Sequence, residues 1–159
     1  MNARPAVRAR QHGVATLEFA FLLILGVVPL LLLTYTGVMI MAAQQTLSLA
    51  SAEGARASLR HASPNERRVA ACEAAQRSMQ WLLNFAGQQA NCSAAGAPPI
   101  VVTAPAPCVG LPSAQCMQVS VSYDYRSKPF LPGTGRVYGW LMTQPIRSTA
   151  VAQLDLGTP

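Results

Sequence analysis

After Glu18 the next charged residue is Glu53, and the stretch from Phe19 to Ala43 is almost wholly apolar. A helix needs roughly 20 residues to cross a bilayer, so this run is long enough to span one. Beyond Ala43 the pattern changes. Gln44, Gln45, Ser48, Ser51, Glu53, Arg56 and Arg60 alternate with Leu47, Ala50, Ala55 and Leu59. That is an amphipathic continuation whose apolar face can pack on a soluble domain. Residues 14–60 therefore read as one long helix, transmembrane over about 19–43. Gly26 and Pro29 interrupt the apolar half. Proline removes a backbone hydrogen bond and bends a helix, so these two predict either a static kink or a point where the helix bends or locally melts.

A break follows at His61–Glu66. Ser63 suits an N-cap, with Pro64 at the first helical position and Glu66 three residues on, the capping-box arrangement. It predicts a second helix over Pro64–Phe85, with Val69, Cys72, Ala75, Met79, Leu82 and Leu83 near helical spacing and Gly87 as its stop. Residues 87–115 are rich in Gly, Pro, Ala and Ser and read as loop, with a short strand at Ile100–Thr103. Met117–Tyr125 alternates apolar and polar residues and predicts a strand. Residues 126–144 read as a second loop, and Ile146–Leu156 as a weaker closing strand. Helices followed by an antiparallel sheet make an α+β arrangement.

Charge changes this picture mainly by its location. The formal net charge is +6 over 159 residues, but Arg4, Arg8 and Arg10 all precede the apolar run. Without those three the remainder is +3, scattered, and no footprint for nucleic acid. Positive charge before the run and none close behind it predicts a cytoplasmic N-terminus and an exported C-terminus, a single-pass arrangement in contact with lipid. The organisation expected is a basic leader at 1–13, the long helix at 14–60 and an exported domain at 61–159. Cys72, Cys92, Cys108 and Cys116 all fall in that domain. An even number in an oxidising compartment favours two disulfides. Four cysteines allow three pairings. Cys108 with Cys116 would staple a local loop and leave Cys72 for Cys92. No metal site is expected, because no paired-cysteine motif is present and the only histidines are His12 and His61.

The most informative stretch is Gly13-Val14-Ala15-Thr16-Leu17-Glu18-Phe19. An ionisable residue at the edge of a membrane segment is costly and suggests a task. A basic leader, a glycine, four further residues, a glutamate and an apolar helix together resemble the N-terminus of a type IV prepilin. Three more segments extend the likeness to TadE-like proteins, the minor pilins or pseudopilins of the tight-adherence (Flp, type IVb) pilus system. They are Ala52-Glu53-Gly54-Ala55-Arg56-Ala57 late in the long helix, the strand Val119–Tyr125 followed by Pro129-Phe130-Leu131-Pro132, and the closing Ser148-Thr149-Ala150-Val151-Ala152. The resemblance covers most of the chain after Gly13. It implies cleavage after Gly13 by a prepilin peptidase, methylation of the new N-terminal Val14, and pairing of Glu18 with a neighbour's N-terminal amine. It also implies partners: the major Flp pilin, other minor pilins and the inner-membrane assembly platform. Phe19 stands where the major pilins usually carry tyrosine, which favours a minor pilin, as does the chain's length.

The remaining chemistry is sparse. No catalytic constellation, and no cofactor site, is expected. Gly133–Gly139 lacks dinucleotide-binding spacing, and the Asn91-Cys92-Ser93 sequon is better explained by Cys92 as a disulfide partner. Arg67, Arg68 and Arg77 read as a solvated helix face. Tyr123, Tyr125, Phe130, Tyr138 and Trp140 read as sheet core and loop anchors before they read as an adhesive surface. Two other functions share some of these features. A type II secretion pseudopilin would have the same N-terminus, but this domain has few acidic residues for a calcium loop. A periplasmic binding domain on an uncleaved signal anchor would have the same helix.

Overall fold

The structure is a computed structural model, and it describes residues 12–60, 62–93, 96–141 and 144–154. It is α+β: a long N-terminal helix, further helices and one small antiparallel sheet. The chain divides into two compact units, one ending at Val38 and the other beginning at Met39.

Helical backbone runs without a gap from α1 (His12–Leu22) through a π turn (Leu23–Val27) into α2 (Val28–Ser58). The expected single helix over 14–60 is therefore present, with two differences. It starts two residues earlier, so the end of the expected leader is helical. Its irregularity is a widened turn: the Val28 N–H donates to the Leu23 carbonyl five residues back. Gly26 lies inside that turn and Pro29 is the second residue after it. Proline has no N–H for the carbonyl four residues back, and its ring crowds that carbonyl. A π turn is one of the few ways a helix absorbs this without breaking.

The second unit begins with the amphipathic part of α2. Ile40, Ala43, Leu47, Ala50, Gly54 and Ser58 are buried at helical spacing, a narrow seam of mostly small side chains. Small residues let another backbone come close. A Cβ placed on Gly54 would sit 2.9 Å from Val119 Cγ1, 3.0 Å from the Ala71 carbonyl oxygen and 3.3 Å from Ala75 Cβ. Glycine is required here by contact with a helix and a strand at once.

The capping box is fully formed. The Ser63 hydroxyl accepts from the Glu66 N–H, the Glu66 carboxylate accepts from the Ser63 N–H at 2.9 Å, and Pro64 opens α3 (Pro64–Ser78). The Ser63 hydroxyl also donates to the Glu66 carboxylate at 2.8 Å, and this bond first, then the one from the Ser63 N–H, holds the Glu66 carboxyl below the ordinary carboxylate range. The expected single helix to Phe85 is instead two. Met79 leaves helical geometry at φ −110° and ψ 18°, and α4 (Gln80–Ala86) follows. Burial explains the break: turning the chain at Met79 puts Met79, Leu82, Leu83 and Ala86 all into the core. Gly87, at φ 63°, ends α4 in the left-handed conformation that glycine adopts without strain. Arg67 departs from the expected solvated face. It is buried, and its Nε donates to the Ala62 carbonyl at 2.8 Å.

The sheet is built around β3 (Leu111–Tyr123). β4 (Ile146–Leu154) pairs along most of one edge of it, from Gln115↔Leu154 to Tyr123↔Ile146. On the other edge lie β1 (Ile100–Val102), against residues 119–121, and β2 (Ala106–Cys108). Alternation along β3 puts Met117, Val119, Val121 and Tyr123 on the core face and Gln118, Ser120 and Ser122 on the other. Three expectations are corrected here. β3 starts six residues before Met117. β2 falls in the expected loop at 87–115, because Pro107 at a sheet edge disguises it. α5 (Thr134–Leu141) falls in the expected loop at 126–144. The expected loop contains Pro129, Pro132, Gly133 and Gly135, yet Gly135 is buried inside α5, where a Cβ would meet Pro129 Cγ at 3.1 Å. Residues 155 and 156 of the expected last strand lie outside the described residues.

Candidate functional site

The first candidate site is the N-terminal helix itself. Every residue from Val14 to Tyr35 is exposed, including Phe19, Phe21, Leu22, Leu25, Leu30 and Leu31. Soluble monomers rarely expose apolar patches beyond a few hundred Å². The described helix Val14–Ser58 is long and apolar enough to cross a membrane. Two threonine hydroxyls of its apolar half are already satisfied. Thr34 Oγ1 donates to the Leu30 carbonyl at 2.7 Å, and Thr36 Oγ1 donates to the Leu32 carbonyl at 2.7 Å. Neither needs water, as a helix in hydrocarbon requires.

Gly13 and Val14 lie in the first turns of α1, so the bond between them is in helical backbone. A peptidase that binds its substrate extended must first unwind this turn. Glu18 is exposed, one helical turn after Val14, and Phe19 is 67 % exposed beside it. The ion pair Arg56–Glu53, at 2.8 Å, lies far along the same helix. Among the described residues no cationic side chain pairs with Glu18. At the edge of an apolar segment such a carboxylate gains from a single cation brought by another molecule. The leader arginines Arg4, Arg8 and Arg10 lie outside the described residues.

In the second unit the cysteines pair as Cys72–Cys92 and Cys108–Cys116. The first ties α3 to the segment after α4, and the second ties β2 to β3. Among the described residues no cysteine is free. A groove of about 480 Å³ lies beside the second disulfide, lined by Thr103, Pro107, Gln118 and Val151 among others. It presents no titratable or nucleophilic side chain, both of its cysteines being oxidised, and we assign it no reaction.

The aromatic residues sort differently from expectation. Tyr123, Tyr125 and Phe130 are buried, as core and loop anchors. The Tyr123 phenol donates to the Lys128 carbonyl at 2.5 Å, and Tyr125 shares a 2.8 Å hydrogen bond with Thr134 Oγ1. Burial first, and then the nearby Tyr125 and Asp124, push the Tyr123 phenol up to about 12. Trp140, by contrast, is 83 % exposed, and the side chain of Tyr138 lies outside what the structure describes. Two features of the second unit escaped the sequence reading. One is the close contact at Gly54, whose only signal was its place in a run of small residues. The other is the grouping of Trp81 and Phe85 on α4 around Phe130, signalled only by their four-residue spacing.

Comparison of the chain with protein-family models, with curated proteins and with solved structures finds no match.

Proposed function

We propose that this chain is a minor pilin, or pseudopilin, that supports assembly of a tight-adherence (Flp, type IVb) pilus. The observation that carries the reading is Glu18: a carboxylate five residues after Gly13, at the head of a fully exposed apolar helix that continues into a disulfide-stapled α+β domain. In this reading a prepilin peptidase cuts after Gly13, and Val14 becomes a methylated N-terminus. The apolar helix then holds the protein in the bacterial inner membrane with its domain on the exported side. Glu18, fifth in the processed chain, pairs with the N-terminal amine of a neighbouring subunit, either the major Flp pilin or another minor pilin. The pair forms where water is scarce, so its geometry selects a defined stagger between helices. The chain acts as substrate and building block, not as an enzyme.

Co-expression with a prepilin peptidase and intact-mass measurement of the membrane-extracted protein tests this. The expected product begins at Val14. Full-length protein alone would replace the pilin reading with that of a domain on an uncleaved anchor. Glu18→Ala and Glu18→Gln should both insert and be cleaved, yet fail to enter the pilus complex. Normal piliation with both variants would remove Glu18 from the assembly mechanism.

A further inference from the structure

The two edges of the sheet are built in opposite ways. One edge is made of β1 and β2, three residues each. Pro98, Pro99, Pro105 and Pro107 lie in or beside them, and the β2 pairing shifts register between Pro107 and Cys108. Short strands, prolines and irregular pairing are the means by which natural sheets keep other chains from adding to an edge. The other edge is β4, which has almost none of these. Ile146–Leu154 is nine residues long, pairs with β3 in unbroken register, and contains no proline, no glycine and one charge, Arg147. Among the described residues β4 pairs with no strand but β3, and no other backbone hydrogen bond reaches it. Every second residue of an edge strand turns its N–H and C=O away from the sheet. The ligand that matches such a row of donors and acceptors is another extended polypeptide.

Side chains narrow the choice. On the face of β4 away from the core stand Arg147, Thr149, Val151 and Gln153, all exposed. Thr149 is engaged, its hydroxyl sharing a 2.7 Å hydrogen bond with Ser120. Val151 is 59 % exposed and lines the groove of about 480 Å³, whose other walls include Thr103, Pro107 and Gln118 and carry no charge. Arg147 makes no ion pair among the described residues. Asp124, one residue past the end of β3, has its carboxylate engaged by the Arg126 N–H, the Ser127 N–H and the Ser127 hydroxyl.

We infer that β4 is a docking edge that takes an extended segment of a partner polypeptide as a fifth strand of the sheet. The three pairings already present are all antiparallel, and an antiparallel addition continues them. Directly opposed residues on paired strands lie about 4.5–5.5 Å apart. The segment therefore places an apolar residue beside Val151 and, four residues further along its own chain, a carboxylate beside Arg147. The inference concerns the second unit alone and stands whether or not the chain enters a pilus.

The test uses the full chain in detergent micelles and follows hydrogen exchange at the β4 amides. In the free chain about half of them, those turned away from β3, should exchange freely. The probe is a nine-residue peptide of threonine and valine, with valine fourth and glutamate eighth. Bound, it should protect the freely exchanging half. Replacing its glutamate by lysine should weaken binding about fivefold, and Arg147→Glu in the protein should reverse that preference. Of two versions N-methylated at alternate residues, one should bind and the other fail, since only one set of N–H groups faces β4. Slow exchange at all nine positions of the free chain at every concentration would overturn the inference, because the chain's own residues would then cover the edge. Protection that grows with protein concentration alone would replace the partner segment with a second copy. Exchange unchanged by millimolar peptide would remove the docking edge.

Discussion

Gly37 and Gly54 lie on the same helix, seventeen residues apart, and differ in everything but identity. A Cβ on Gly37 would meet nothing within 4 Å; one on Gly54 would strike a strand side chain, a helix carbonyl and a helix side chain at once. The contrast extends to the stretches around them. Residues 14–35 bury no side chain, while from Ile40 onward α2 buries one about every three or four residues. One continuous element thus has two regimes. Its first part is apolar and exposed throughout residues 14–35. Its later part is fitted by shape, so that small residues matter as much as hydrophobic ones.

The widest separation between the two should come from Gly54→Val set beside Gly37→Val. Overpacking a well-filled core typically costs about 1–3 kcal/mol, and here one of the atoms in the way is the Ala71 carbonyl, which cannot turn aside. We expect Gly54→Val to abolish cooperative unfolding of the domain, followed by near-UV circular dichroism in detergent. Gly37→Val should leave that transition where it is. A Gly54→Val protein as stable as wild type would erase the distinction.

Removal of the disulfides comes next. Both lie in the second unit, with sequence separations of 20 and 8 residues. The loop-entropy relation gives about 3.3 kcal/mol for the longer loop and about 2.5 kcal/mol for the shorter. Urea unfolding of Cys72→Ala/Cys92→Ala should accordingly show the larger loss. An equal or reversed order would mean that the unfolded chain is not the main target of these links.

A smaller effect is expected at the α3 cap. Ser63→Ala removes the acceptor for the Glu66 N–H and should cost about 1 kcal/mol. Because the folded-state pKa of Glu66 is lowered, the stability it confers is present above its unfolded value of 4.5 and is lost as pH falls through the folded value. The Ser63→Ala domain should therefore lose less stability on acidification than the wild type.

The smallest effect appears only in alkali. Tyr123 ionises near 12 in the folded chain against 10.0 unfolded. Its contribution is complete below pH 10 and declines as pH rises toward 12, since the unfolded state gives up that proton first. An ultraviolet titration should show a late tyrosine step that Tyr123→Phe lacks. Absence of that step would mean that the interior of the second unit is wetter than its packing implies.

The parts legible in the sequence were those with a local cause. The capping box at Ser63 and Glu66, the stop at Gly87, the alternation through Val119–Tyr123 and the apolar run all rest on neighbours within a turn or a strand. What escaped depends on distant partners. Met79 breaks a helical pattern because both halves must reach the core. Gly135 sits inside α5 because Pro129 lies against it. β2 is visible only once β3 offers an edge to pair with. The helix irregularity at Gly26 and Pro29 was legible as a place but not as a π turn, since static kink and widened turn leave the same two residues in the sequence. At the candidate site, the roles expected of Gly13 and Glu18 rest on a local spacing that resembles a prepilin's. The grouping of Trp81 and Phe85 needed Phe130, forty-five residues beyond Phe85, to bring it together.

The pairing of β3 with β4 has a consequence for timing. Synthesis proceeds from the N-terminus, and the hydrogen bond between Ser51 and Ser148 joins positions separated by 97 residues. At about 5–20 residues per second, roughly 5–20 s pass between the making of those two serines. β3 is complete at Tyr123 and β4 begins at Ile146, 23 residues later, so one whole edge of β3 stays without its partner for roughly 1–5 s of that interval. The α2 residue Ser51 waits the full interval for Ser148, so the last strand made closes contacts with one of the first helices.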